Sequence, residues 1–208
     1  MNGRDTRVEP RRSHFSAPDW GNSVSAVASA FAAIDQDGWH RKSRCTEWTV
    51  RQAGNHLAGG LALLAAIAAR AEFDPAALNP RWLADTERLG DDPSRTITEL
   101  ASRARDRLSA ADVQAATFEY PRPGTPGIML ANLALMELVV HGWDAAAGAG
   151  VPYHADPVAV ASIHRFTSLV VDDSQRTAGL FGPAQPVPAD VDEVTQMLAH
   201  LGRTEIAG

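Results

Sequence analysis

Apolar residues recur at helical spacing along most of this chain. Val24, Val27, Ala28, Phe31 and Ile34 line one face of a helix expected over 19–37, which Gly38 is placed to stop. Val50, Ala53, Leu57, Leu61, Leu64 and Ile67 predict a second helix over 48–72. Thr46 reads as its N-cap, and with Thr49 rather than Glu three residues on, no capping box is expected. Ile97, Leu100, Ala101, Ala104 and Leu108 predict a third helix over 93–108, capped by Asp92 or Ser94. A fourth is expected over 127–147, ending at Gly148 or Gly150, and a fifth over 157–171, following Asp156-Pro157. A short last helix over 191–201 stops at Gly202.

Between these elements, 73–91, 116–127 and 174–189 are rich in Pro and Gly and read as connections. Trp82 is expected to anchor the first, and short extended pieces are expected around 117–120 in the second. Gly59-Gly60 sits inside the second helix, where each Gly costs roughly 1 kcal/mol relative to Ala; close helix contact or a nearby ligand would account for the pair. Residues 1–16 carry Arg4, Arg7, Arg11 and Arg12 with few apolar partners and read as a disordered tail, a partner-binding arm being the alternative. The rest, 17–208, reads as a single all-α domain, a helical bundle with long loops.

Composition narrows the function classes. Abundant Ala and Leu with 6% aromatics favour helices, and a formal net charge of -6 argues against a nucleic-acid surface. The longest apolar stretch, 57–69, is too short to span a bilayer, so no membrane partner is expected. Cys45 is the single cysteine, which excludes an intrachain disulfide and suits a reducing cytoplasm. An Ala-rich helix face leaves a homodimer open. No dinucleotide fingerprint, Walker sequence or Ser-centred nucleophile elbow is present.

The candidate chemistry lies in Met136-Glu137-Leu138-Val139-Val140-His141-Gly142-Trp143-Asp144. Glu137 and His141 are four residues apart, which puts a carboxylate and an imidazole on one helix face. His56, on the second helix, is the candidate third metal ligand. Catalytic zinc takes three such N/O ligands and leaves one position open; a two-His-one-carboxylate set also suits iron or nickel. The plainer reading puts Glu137 at a helix edge and makes His141 a hydrogen-bonded core residue. Asp144 is expected to orient a ligating imidazole such as His56, or else to face solvent. Trp143 is expected to pack on a neighbouring helix. Cys45 is read as structural, with a nucleophilic role open if a base approaches it. His14, His40, His154, His164 and His200 lack paired ligands and read as surface or core, His154 beside a loop being the exception.

At these residues the chain resembles a known family. Cys45-Thr46-Glu47-Trp48-Thr49-Val50-Arg51 with Asn55-His56-Leu57 is similar to the N-terminal signature of the mycothiol-dependent maleylpyruvate isomerase-like proteins, within the DinB/YfiT-like superfamily. His141-Gly142-Trp143-Asp144 with Ala145, Ala146 and Gly148 resembles a second signature. Phe181-Gly182-Pro183, Val187-Pro188 and Leu198-Ala199-His200-Leu201-Gly202-Arg203 resemble the C-terminal signature of the actinobacterial branch. The likeness spans about 17–204. Two departures stand out: Ala53 and Gly54 where the family often has Leu, and Ser43-Arg44-Cys45 in place of Thr-Pro-Cys.

The resemblance implies a DinB-like four-helix bundle with short C-terminal helices and one divalent metal, usually zinc, on His56, Glu137 and His141. It implies mycothiol or another low-molecular-weight thiol as cosubstrate. A thiolate would add to an electron-poor double bond of a small-molecule substrate. Rotation and expulsion of the thiol would give an isomerase; release of the adduct, an S-transferase. A thiol-independent hydrolase, cyclase or isomerase, and a non-catalytic ligand-binding protein, are the rivals.

Overall fold

A computed structural model describes residues 16–45 and 47–203. Its helices begin where a side chain or a turn can occupy their first N–H groups. Ahead of α1 (Ser23–Ala33) the chain makes a turn instead of the expected helical start: Asp19 accepts the Gly21 N–H, and Gly21 takes a φ of +44°. That turn sinks Trp20 into the core. The helix also ends early, because Ile34 turns extended and Asp35 captures the Gly38 N–H; Gly38 opens a 3-10 turn, Gly38–His40, rather than stopping α1.

α2 (Val50–Ala68) is shorter than the expected 48–72. The expected cap, Thr46, lies outside the described residues; the N-cap is Thr49, and it forms the capping box that the sequence reading excluded. Its hydroxyl accepts the Gln52 N–H, and the Gln52 side chain accepts the Thr49 N–H at 3.0 Å. At the far end Arg70, at a φ of 53°, breaks the run. The connection 73–91 holds a 3-10 turn, Pro75–Leu78, and α3 (Pro80–Asp85), with Trp82 packed against the core. α4 (Pro93–Leu108) matches its expected bounds, and Asp92 caps it by accepting the Arg95 N–H.

α5 (Ala111–Ala115) precedes a small antiparallel ribbon in the second connection, β1 (Thr117–Phe118) against β2 (Thr125–Pro126), with Phe118 opposite Thr125. α6 (Gly127–Ala149) ends at Gly150, whose φ of 75° is the left-handed cap that glycine favours. α7 (Pro157–Val170) is capped by Asp156, which also accepts the Asn22 N–H and so ties α7 to the start of α1. α8 (Asp173–Thr177) interrupts the last connection, and α9 (Glu193–His200) closes against α7.

α1, α2, α4 and α6 form the bundle, with α2 and α6 side by side at its centre and α3 packed on α2. α6 is long and apolar enough to cross a membrane, which the sequence reading had granted to no segment, but 72% of its apolar window is buried inside the fold. It is the core helix of the bundle. Small residues set the close approaches: a side chain on Gly148 would come within 2.5 Å of the Ser43 Cα, so Gly148 lets the 41–49 segment cross the end of α6. That crossing carries Cys45 and Trp48 to the ligand candidates.

Candidate metal centre

α2 and α6 bring His56, Glu137 and His141 together. His56 Nε2 stands 3.1 Å from Glu137 Oε2, and His141 Nε2 stands 3.4 Å from the same oxygen. One ligand atom from each residue lies within 4.8 Å of the others. Atoms bonded at about 2.1 Å to a tetrahedral zinc lie about 3.4 Å apart, so the two contacts to Glu137 match a shared cation. Gly60 faces the Glu137 carboxylate: a Cβ there would stand 3.6 Å from Oε2, an ordinary contact, so the approach does not depend on the missing side chain. Its neighbour Gly59 has the other role expected of the pair, close helix contact, with Leu83 2.8 Å from its own absent Cβ.

The other ring nitrogens are already engaged. His56 Nδ1 lies 3.2 Å from the Pro80 carbonyl, which only accepts, so it donates there. His141 Nδ1 donates to Asp144 Oδ2 at 2.9 Å. In the neutral rings these bonds leave the Nε2 lone pairs for a cation beside Glu137, the arrangement that ligating histidines adopt; when protonated, His56 instead donates its Nε2–H to Glu137. Trp48 lies over the pair, its ring centre 4.5 Å from that of His56 and 5.9 Å from that of His141.

For Asp144 the geometry favours the orienting role over the solvent-facing alternative, on a different imidazole from the one named. Asp144 orients His141 rather than His56, because it follows His141 on the same helix turn, and it is fully buried rather than solvent-facing. A buried carboxylate needs a partner, and Arg203 supplies one: Nε meets Oδ1 at 3.1 Å and Nη2 meets Oδ2 at 2.7 Å. Burial pushes Asp144 toward its neutral form, but the Arg203 charge and the His141 hydrogen bond overcome it and hold the carboxyl at about 2. Glu137 behaves alike: burial raises it, and the His141 and His56 charges bring it to about 2. For His56 burial favours the neutral ring, while the Glu137 charge and hydrogen bond outweigh it and raise the pKa.

Cys45 approaches the same corner, its sulfur within 4.8 Å of ligand atoms of His141 and Asp144. Those atoms are already spent on one another and on Arg203. Burial and the Asp144 charge push the Cys45 thiol up to about 12, so it stays protonated and inert, in line with a structural residue. Trp143 packs half-buried against the core. His164 pairs with Glu193 at 3.3 Å and His200 faces the Thr167 carbonyl, away from the centre; His14 lies outside the described residues. Sequence reasoning missed the roles of Arg203, Trp48 and the Pro80 carbonyl. No signal in the sequence tied Asp144 to a basic partner 59 residues away.

Residues 20–146 match the family described as the mycothiol maleylpyruvate isomerase N-terminal domain. Two uncharacterized proteins of Mycobacterium tuberculosis, from strains CDC 1551 and H37Rv, are each 26% identical to this chain over 198 residues, 95% of this chain and 99% of their own length. No solved structure matches. The matched stretch takes in the four bundle helices to within a few residues of the end of α6, with His56, Glu137 and His141 inside it; Arg203 lies beyond it. With more than half of its length matched, the chain belongs to the mycothiol maleylpyruvate isomerase N-terminal domain family.

Proposed function

We propose that this protein is a mononuclear metal-dependent enzyme of small-molecule metabolism that uses a low-molecular-weight thiol of the mycothiol type, as an isomerase or S-transferase. The observation that carries the reading is the convergence of two imidazole Nε2 atoms on one half-buried carboxylate, with both Nδ1 atoms donating elsewhere. His56, Glu137 and His141 would hold the cation, zinc in the first instance, with iron or nickel compatible with the same donors. A divalent ion there would lower the pKa of a thiol or water at its open position and so supply a nucleophile at neutral pH.

The chain's own residues do the rest. Glu137, held at about 2, is ionised at every physiological pH and balances the cation. Pro80 and Asp144 fix the imidazole tautomers, and Arg203 keeps Asp144 charged and in place. Trp48 shields the two rings from water. The chain's single thiol, Cys45, is pushed up to about 12. Burial and the Asp144 charge thus disfavour Cys45 as the nucleophile, which supports a thiol cosubstrate. A cytoplasmic setting, where such thiols stay reduced, fits this use.

The test is thiol dependence. Metal-loaded protein is assayed for cis–trans isomerisation of an electron-poor 2-ene acid, with mycothiol, with another small thiol, and with none. The reading expects turnover or S-adduct formation only when a thiol is present. Equal turnover without thiol would move the protein to the hydrolase, cyclase or thiol-independent isomerase class.

A further inference from the structure

A separate groove opens on the other side of α2, with a volume of about 330 Å³ and a floor of Ala58, Ala62 and Leu100. Ala58 and Ala62 stand two residues before and after Gly60, the residue that faces Glu137. Two residues turn a helix by about 200°, so the groove faces away from the candidate metal centre.

Its charges are unequally matched. The two carboxylates at its edge are committed: Glu87 is held by Arg51 at 2.8 Å and also accepts the Leu89 and Gly90 N–H groups, and Glu99 is held by Arg95 at 3.0 Å. The two cations that line it, Arg88 and Arg103, have no carboxylate partner among the described residues. Arg88 lies 5.0 Å over the Trp82 ring, and its Nε is buried without an acceptor. The side chain crosses α2 through the space that Gly59 leaves open: a Cβ on Gly59 would come within 2.9 Å of that Nε. That Nε is sealed against the helix and out of a ligand's reach, so it fixes the side chain and leaves the terminal N–H groups of the guanidinium as the donors; their planar fork suits a carboxylate or a phosphate.

We propose that this groove binds a small organic anion. Its carboxylate or phosphate group is held by Arg88 and Arg103, and its short apolar body lies on Ala58, Ala62 and Leu100. The site is independent of the metal centre on the opposite face of the helix.

Isothermal titration at constant ionic strength, with inorganic phosphate and with hexanoate as probes, tests this on the whole chain. Four proteins are compared: the wild type, Arg103→Gln, Ala62→Glu and His141→Ala. Arg103 is exposed and Ala62 half-buried at the groove, so the first two variants keep the fold. The proposal expects saturable binding of one probe or both to the wild type and equally to His141→Ala. It expects binding weakened by about tenfold or more in Arg103→Gln, the loss of a charge-assisted hydrogen bond, and abolished in Ala62→Glu. Stronger phosphate binding identifies a phosphate ligand; stronger hexanoate binding identifies a carboxylate with an apolar body. Absence of saturable binding up to about 10 mM, where affinity is weaker than any specific site needs, overturns it. So does unchanged affinity in Arg103→Gln, or binding lost only in His141→Ala, which would send the anion to the metal centre.

Discussion

His141 owes its orientation to a relay that runs from Arg203 through Asp144 to Nδ1. Replacing Asp144 with Asn removes the charge that orients the ring. Metal affinity should fall about 10–100-fold in competition with a chromophoric chelator, and an unaltered affinity would retire the role given to Asp144. The same variant leaves Arg203 buried beside a neutral amide, and breaking such a pair costs about 3–5 kcal/mol by denaturant unfolding. The sign of the acid dependence follows from the depressed pKa. Because Asp144 titrates at about 2 when folded, its contribution to stability is complete above the ordinary carboxylate range, near about 4, and is lost as pH falls toward 2. Cys45 titrates in the opposite direction. Its alkylation rate in the folded protein should climb without a plateau to about pH 10, as for a thiol titrating near 12; a plateau near pH 8 would mean an activated thiolate. The sequence made Glu137 and His141 legible through their four-residue spacing. It could not join Asp144 to Arg203, which lies 59 residues further on and meets it only in the folded chain.

Helix stripes were readable because burial follows the 3.6-residue period; helix ends were not, because single hydrogen bonds and backbone angles decide them. Thr49 and Gln52 form a capping box of the Ser/Thr-x-x-Glu/Gln type, visible in the sequence once Thr49 rather than Thr46 is taken as the cap. Thr49→Ala should lower stability by ~1 kcal/mol in chemical denaturation. The glycines of α2 and α6 divide by what stands opposite them. At Gly60 a methyl group would meet Glu137 Oε2 at 3.6 Å, an ordinary contact, so Gly60→Ala should gain up to ~1 kcal/mol of helix propensity. At Gly148 it would meet backbone, the Ser43 Cα at 2.5 Å and the Lys42 carbonyl at 2.6 Å, so Gly148→Ala should lose ~1–3 kcal/mol. Equal effects of the two substitutions would contradict the packing described for the 41–49 crossing.

Across the whole molecule, the bundle and the family were both present in the sequence, because four apolar stripes and the two signatures around His56 and His141 fall inside the matched 20–146. The groove on the far face of α2 was not, because it depends on Arg88 folding back across Gly59. A cation shared by α2 and α6 would tie together the two helices at the centre of the bundle, so its removal should be felt globally. At a thousandfold excess over its dissociation constant it adds ~4 kcal/mol to the folded state, and chelation should then lower the thermal midpoint by about 8–16 °C. The most direct measurement is elemental analysis of protein isolated without an affinity tag, alongside the His141→Ala variant. The account predicts one divalent ion per wild-type chain and its loss in the variant. A wild-type protein that carries no metal and takes up none from added zinc, or a variant that retains a full equivalent, would contradict it.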